Sequence, residues 1–142
     1  MTTKEYLNQY RDLSRKAARL KERLLLIQGS NSVNIDGLPH GTKIGDPTKD
    51  TAIKLAEIRG KLNVALCEAA LKCQIICDQI ENMQTPRYKE LLHSRYVLLM
   101  SWEDVTDRLS LNRRERYDSK YVMSYMHERA LDEFRRVNKW EF

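Results

Sequence analysis

The stretch Arg95-Tyr96-Val97-Leu98-Leu99-Met100-Ser101-Trp102-Glu103-Asp104-Val105, continued by Leu109-Ser110-Leu111-Asn112-Arg113-Arg114-Glu115-Arg116, decides how the chain is read. Ser101 has the character of a helix N-cap, and Asp104, three residues on, stands where a capping box usually carries Glu or Gln. A short helix therefore starts at Trp102 and buries Trp102, Val105 and Leu109. The following Leu109-Ser110-Leu111-Asn112 has small and apolar residues and then a capping side chain, the sequence form of a helix-turn-helix. Two continuations fit. In one, Asn112 caps a long final helix and Glu115 completes its capping box. In the other, residues 112–117 form a basic extended turn and the helix starts after Asp118-Ser119. Both lead into Tyr121-Val122-Met123-Ser124-Tyr125-Met126-His127-Glu128-Arg129-Ala130-Leu131.

Just upstream, Thr85-Pro86 pairs an N-cap residue with proline at the first helical position, where its missing N–H costs nothing. Tyr88, Leu91, Leu92, Tyr96 and Leu99 then recur at helical spacing. On the last helix Met123, Met126, Ala130, Phe134 and Val137 share one stripe, which assigns them to the core. The opposite face presents Lys120, Tyr121, Ser124, Tyr125 and Glu128.

Toward the N-terminus, Tyr6, Tyr10, Leu13, Ala17, Leu20, Leu24 and Ile27 recur at steps of four and three, so residues 3–28 read as one amphipathic helix with a heptad seam. Its outer face carries Arg11, Arg15, Lys16, Arg19, Lys21 and Arg23. Residues 29–46 hold four of the five glycines together with Pro39, which predicts a long loop. Ile35, Leu38 and Ile44 are expected to fold back from it onto the helices, and His40 is expected at the surface. Asp46-Pro47-Thr48 starts a second long helix. Its seam is Leu55, Ile58, Leu62, Ala65, Ala69, Cys73, Ile76, Ile80 and Met83, with one stutter between Ala69 and Cys73.

The expected architecture is thus all-α: a long antiparallel, coiled-coil-like helical hairpin over residues 1–84, serving oligomerisation, then a three-helix helix-turn-helix head over 85–142. Abundant Leu, Arg, Lys, Glu and Ala against few glycines and prolines agree with it. The apolar surface a two-helix hairpin leaves uncovered suits a homodimer or higher oligomer.

The formal charge of +5 suits contact with a polyanion. Its distribution is uneven. Residues 1–28 carry seven basic and three acidic side chains, whereas 85–142 carry twelve and ten, so attraction for phosphate in the head depends on local clustering. That cluster is Arg113, Arg114, Arg116 and Lys120. No apolar run approaches the roughly 20 residues that span a bilayer, and the N-terminal residues lack the apolar core of a signal peptide, so a cytoplasmic protein without membrane contact is expected. Cys67, Cys73 and Cys77 read as buried reduced thiols on one helix, because no histidine or further cysteine pair completes a metal site. The sequence holds no glycine-rich phosphate loop, no Gly-x-Ser-x-Gly and no His-Glu-x-x-His. His40, His93 and His127 fall in separate segments, with His93 expected at the surface or satisfied. Nothing here argues for an enzyme, a cofactor or a metal.

A recognition helix sets its N-terminal residues against base edges in the major groove while lysine and arginine hold phosphates. The candidate DNA-binding residues are therefore Arg113, Arg114, Arg116, Lys120, Tyr121, Ser124 and Tyr125. Arg95-Tyr96, Ser101-Trp102-Glu103-Asp104-Val105 and His127-Glu128-Arg129-Ala130-Leu131 together resemble the C-terminal helix-turn-helix of small phage-encoded regulators of Gram-positive bacteria. These are the RinA/ArpU-like late-gene transcription activators, whose C-terminal domains are similar to the promoter-reading domain of sigma factors. Asn34-Ile35-Asp36-Gly37-Leu38-Pro39 and Asp46-Pro47-Thr48 resemble segments of the same group. This chain departs from the pattern around residues 113–119, which add about two turns. The resemblance implies a phage or prophage transcription regulator of late genes that binds double-stranded DNA in the bacterial host cell. The alternative is a helical interaction module that binds host RNA polymerase or a packaging component without reading DNA. The near balance of charge in the head, with Glu115, Asp118 and Glu128 among the proposed readers, favours that alternative.

Overall fold

The computed structural model describes residues 1–33 and 46–139. They form α1 (Thr3–Val33), α2 (Asp46–Glu81), α3 (Pro86–Leu92), α4 (Trp102–Leu109), α5 (Ser119–Tyr121) and α6 (His127–Val137), with π-helical turns at His93–Val97 and Val122–Met126. Among the described residues there is no strand, and the chain is all-α, a long helix pair followed by short helices.

The start of α1 is a reciprocal capping box: Glu5 N–H donates to Thr2 Oγ1 at 3.1 Å, and Thr2 N–H donates to Glu5 Oε2 at 2.6 Å. These hydrogen bonds hold the Glu5 carboxyl below its usual pKa. The helix runs on through Gly29 to Val33, further than the sequence predicts. A glycine costs an established helix only about 1 kcal/mol relative to alanine, and extending a long helix needs no new nucleus. The loop expected over 29–46 is therefore shorter at its first end. Ile35, Leu38, His40 and Ile44 lie outside the described residues. The second helix starts at Asp46, as its Asp-Pro-Thr signal predicts.

Both seams face inward, but unevenly: Tyr6, Ala17 and Leu20 on α1 and Ile58, Ala65, Ala69, Ile76, Ile80 and Met83 on α2 are buried, whereas Tyr10, Leu13, Leu24, Ile27, Leu55, Leu62 and Cys73 are half-buried, and Leu7, outside the expected seam, is fully buried. The packing divides the chain elsewhere than at residue 85. One compact unit is Met1–Asp12 with Ala70–Phe142, and the other is Leu13–Ala69. Within the first unit, Tyr6, Leu7, Ile76, Ile80 and Met83 share one core with Leu91, Leu92, Tyr96, Val105, Val122, Met126, Ala130 and Phe134. A segment of this size builds only a marginal core by itself. The ends of α1 and α2 supply the rest.

Leu13–Ala69 has a small core of Ala17, Leu20 and Ala65, with Leu62 against it, and leaves Leu25, Leu26, Ile53, Val64 and Leu66 exposed. Cys67 is also exposed, contrary to the expectation of three buried thiols, because it falls off the seam that Ala65 and Ala69 occupy. Cys73 and Cys77 are half-buried, and burial with Cys73 beside it pushes the Cys77 thiol up to about 11.

Thr85 has the extended backbone of an N-cap, but its side chain serves another helix. Its hydroxyl donates to Glu133 Oε1 at 2.8 Å, and its N–H lies 3.4 Å from Glu133 Oε2, so a buried carboxylate of α6 anchors the start of α3. Two expected core positions turn outward at the π turns. Leu98 N–H donates to His93 O, a five-residue step, and Leu99 then takes a left-handed backbone with φ of 57° and is exposed. In the second π turn Val122 and Met126 are buried while Met123 is exposed. An i→i+5 turn holds more residues than an α-turn and rotates the register, so Val122 takes the core place that α-periodicity assigned to Met123.

His127 is buried beneath α4. Its Nε2 lies 2.6 Å from Tyr96 Oη, and the Trp102 ring meets it edge-on at 4.8 Å between centroids. Burial, reinforced by the charges of Lys4 and Arg95, pushes its pKa down to about 4. An unfolded histidine titrates near 6.5. Between these values the unfolded chain binds the proton and the folded chain does not, so stability is full above pH 6.5 and falls as pH drops toward 4. The expected loss over that window is about 3 kcal/mol. Denaturant midpoints at pH 7 and pH 4 check it, and His127→Gln should flatten this part of the profile.

Candidate nucleic-acid interface

α4, the connection 110–118 and the helix formed by α5, the second π turn and α6 make up the candidate site. Ser101 caps α4 as predicted, its Oγ accepting from Asp104 N–H at 3.2 Å. Val105 and Thr106 bury the inner face, with Trp102 and Leu109 partly buried against the core.

The connection is a turn, which decides between the two continuations. Asn112 is left-handed at φ of 66°, and the final helix is capped by Asp118, whose Oδ1 accepts from Lys120 N–H at 3.1 Å. Side chains hold the turn shut. Ser110 Oγ donates to Thr106 O at 2.6 Å and accepts from Tyr117 N–H at 3.0 Å. Arg116 spans back to α4, with Nε 2.7 Å from Asp107 Oδ1 and Nη2 2.8 Å from Glu103 Oε2. Those two hydrogen bonds raise its pKa further. Arg116 thus faces two carboxylates of its own chain, and its charge is more than balanced where it sits.

The other candidates are all exposed. Arg114 and Lys120 are exposed and have no ion pair among the described residues. The Arg113 guanidinium lies 3.6 Å from the centre of the Tyr117 ring. Tyr117 and Tyr121 stack at 6.4 Å and 14°, and Tyr121 and Tyr125 at 5.2 Å and 21°. Arg129 closes the far end, 5.0 Å from the Tyr125 ring. The result is a ridge, Arg113, Tyr117, Tyr121, Tyr125 and Arg129, with each member four residues from the next. Ser124 Oγ donates to Lys120 O at 2.6 Å, so its proton is used within the helix.

Sequence reasoning missed Tyr117, Arg129 and Arg87. Hydrogen bonding toward Tyr117 holds the Arg87 guanidinium above its usual pKa. The four-residue spacing of Tyr121, Tyr125 and Arg129 on the final helix is the signal for Arg129, whereas Tyr117 lies in the turn, where helical spacing does not apply. No sequence signal points to Arg87.

Among the described residues no group of three or more His, Cys, Asp or Glu side chains is arranged to hold a metal, and no helix is long and apolar enough to cross a membrane. Compared with known proteins, the chain matches no family model, no curated protein and no solved structure.

Proposed function

We propose that the chain is a sequence-specific binder of double-stranded DNA, a transcription regulator of the phage late-gene class, with α4 and the final helix as its helix-turn-helix. The observation that carries this reading is the exposed surface of the final helix. Lys120, Tyr121, Ser124 and Tyr125 line it, Arg113 and Arg114 stand at its entrance, and a fully buried core holds it in place. Arginine and lysine supply affinity through phosphates, and the helix face supplies specificity. Arg116 acts in this reading as a clamp that shapes the turn.

Exposed Leu25, Leu26, Ile53, Val64 and Leu66 on Leu13–Ala69 support self-association, which would present two heads to a symmetric or repeated site. The same exposed apolar side chains favour the second reading, an interaction module for host RNA polymerase or a packaging component.

Sequencing the duplex fragments that the purified full-length chain retains at about 0.15 M salt tests the proposal. A recurrent motif, with binding that weakens steeply as salt rises, is expected. Undetectable or salt-independent binding overturns it, and a stoichiometric protein partner purified free of nucleic acid supports the second reading.

A further inference from the structure

The exposed side chains in the first turns of the final helix are unusual for a reader of base edges. In the major groove guanine is read by a bidentate arginine or lysine, adenine by asparagine or glutamine, and cytosine by a carboxylate, while thymine also offers an apolar C5-methyl group. Residues 119–126 contain no Arg, Asn, Gln, Asp or Glu, and their one lysine, Lys120, is assigned above to phosphate. The hydroxyl proton of Ser124 is already given to Lys120 O. What this segment exposes instead is apolar and aromatic: Tyr121 is 43% exposed, Met123 45% and Tyr125 47%. The π turn is what brings Met123 out to join the tyrosines.

The tyrosines are also unsuited to taking a base between their faces. A base sandwiched between two rings needs roughly 7 Å, two van der Waals gaps of about 3.5 Å. The ring centres stand 6.4 Å and 5.2 Å apart, and the outer faces of Tyr117 and Tyr125 are covered by Arg113 and Arg129. Ring edges with their phenolic hydroxyls, and a thioether, remain available. Positive charge at both ends of the ridge complements a phosphate backbone on either side, and stacking fixes the side chains before any partner arrives, which lowers the entropy lost on binding.

Resting on the duplex-binding reading above, we propose that Tyr121, Met123 and Tyr125 recognise thymine C5-methyl groups in the major groove, so that the ligand is a thymine-rich duplex. The contact is apolar and edge-on. It reads a methyl group by shape and exclusion of water, without a hydrogen bond to the base.

The test compares one retained duplex with the same duplex carrying deoxyuridine at every thymidine, which removes only the methyl groups and keeps pairing and phosphates. Each buried methyl group is worth about fourfold in affinity, so two or three contacts predict a complex with the deoxyuridine duplex that is weaker by about fifteenfold to sixtyfold. The Tyr121→Ser/Met123→Ser/Tyr125→Ser variant, whose three exposed positions can be replaced without opening the core, should bind both duplexes alike. Equal affinity of the unaltered chain for the two duplexes overturns this inference and leaves duplex binding standing. Tighter binding to the separated single strand overturns it as well. No duplex binding at all overturns both readings together.

Discussion

Replacing Phe134 with alanine will destabilise the head by about 3–5 kcal/mol, the usual range for emptying a buried aromatic site. Phe134 is fully buried, lies 6.3 Å from the Tyr6 ring centre, and belongs to the core that α1, α2, α4 and α6 share. Truncation leaves a cavity in that core beside the Tyr6 ring. A melting temperature lower by on the order of 10–20 °C follows for a chain of this size. Single domains have only about 5–15 kcal/mol of stability in all, so part of the population should be unfolded at physiological temperature. A shift below about 1 kcal/mol, by denaturant titration at constant slope, would contradict a core built around this ring.

The triple variant Arg113→Ala/Arg114→Ala/Lys120→Ala should show the largest effect on DNA. Removing three phosphate contacts flattens the dependence of log K on log salt by about 2.7, at ~0.9 for each contact. If the ionic contribution vanishes near 1 M salt, affinity at about 0.15 M falls on the order of a hundredfold. These three are chosen because Arg114 and Lys120 have no ion pair among the described residues and Arg113 rests only on a ring and a carbonyl. Arg116 is excluded because its loss would unclamp the turn and bare Glu103 and Asp107. An unchanged slope in the triple variant, read by fluorescence anisotropy across a salt series, would remove the cluster from the interface.

Much of the fold could be read from local chemistry. The caps at Ser101 and Asp118 and the helix start at Asp46 are visible in sequence because they depend on residues within three or four positions. Both seams were visible because 3.6-residue periodicity persists over many turns. Leu99 and Met123 were misplaced because widened turns answer to the packing of the whole head, which periodicity does not contain. The role of Arg116 was hidden for a related reason: its partners lie nine and thirteen residues back, and they meet only once the connection is known to be a turn. Of the candidate surface, Lys120, Tyr121, Ser124 and Tyr125 could be placed from the helix face they share. The stacking that joins them to Tyr117 and Arg129 depends on rotamers.

Leu7 and Ile76 lie in the same buried cluster, yet roughly seventy residues of chain separate them. Contacts that distant in sequence form late, because closing a long loop must precede any reward from burial. The first residues of the head leave the ribosome early and wait for α2 to bring the rest of their core. A fragment cut at residue 85 would lack Tyr6, Leu7, Ile76, Ile80 and Met83 and so much of its interior. The helix that carries the tyrosine ridge is seated on that same interior through Val122, Met126, Ala130 and Phe134.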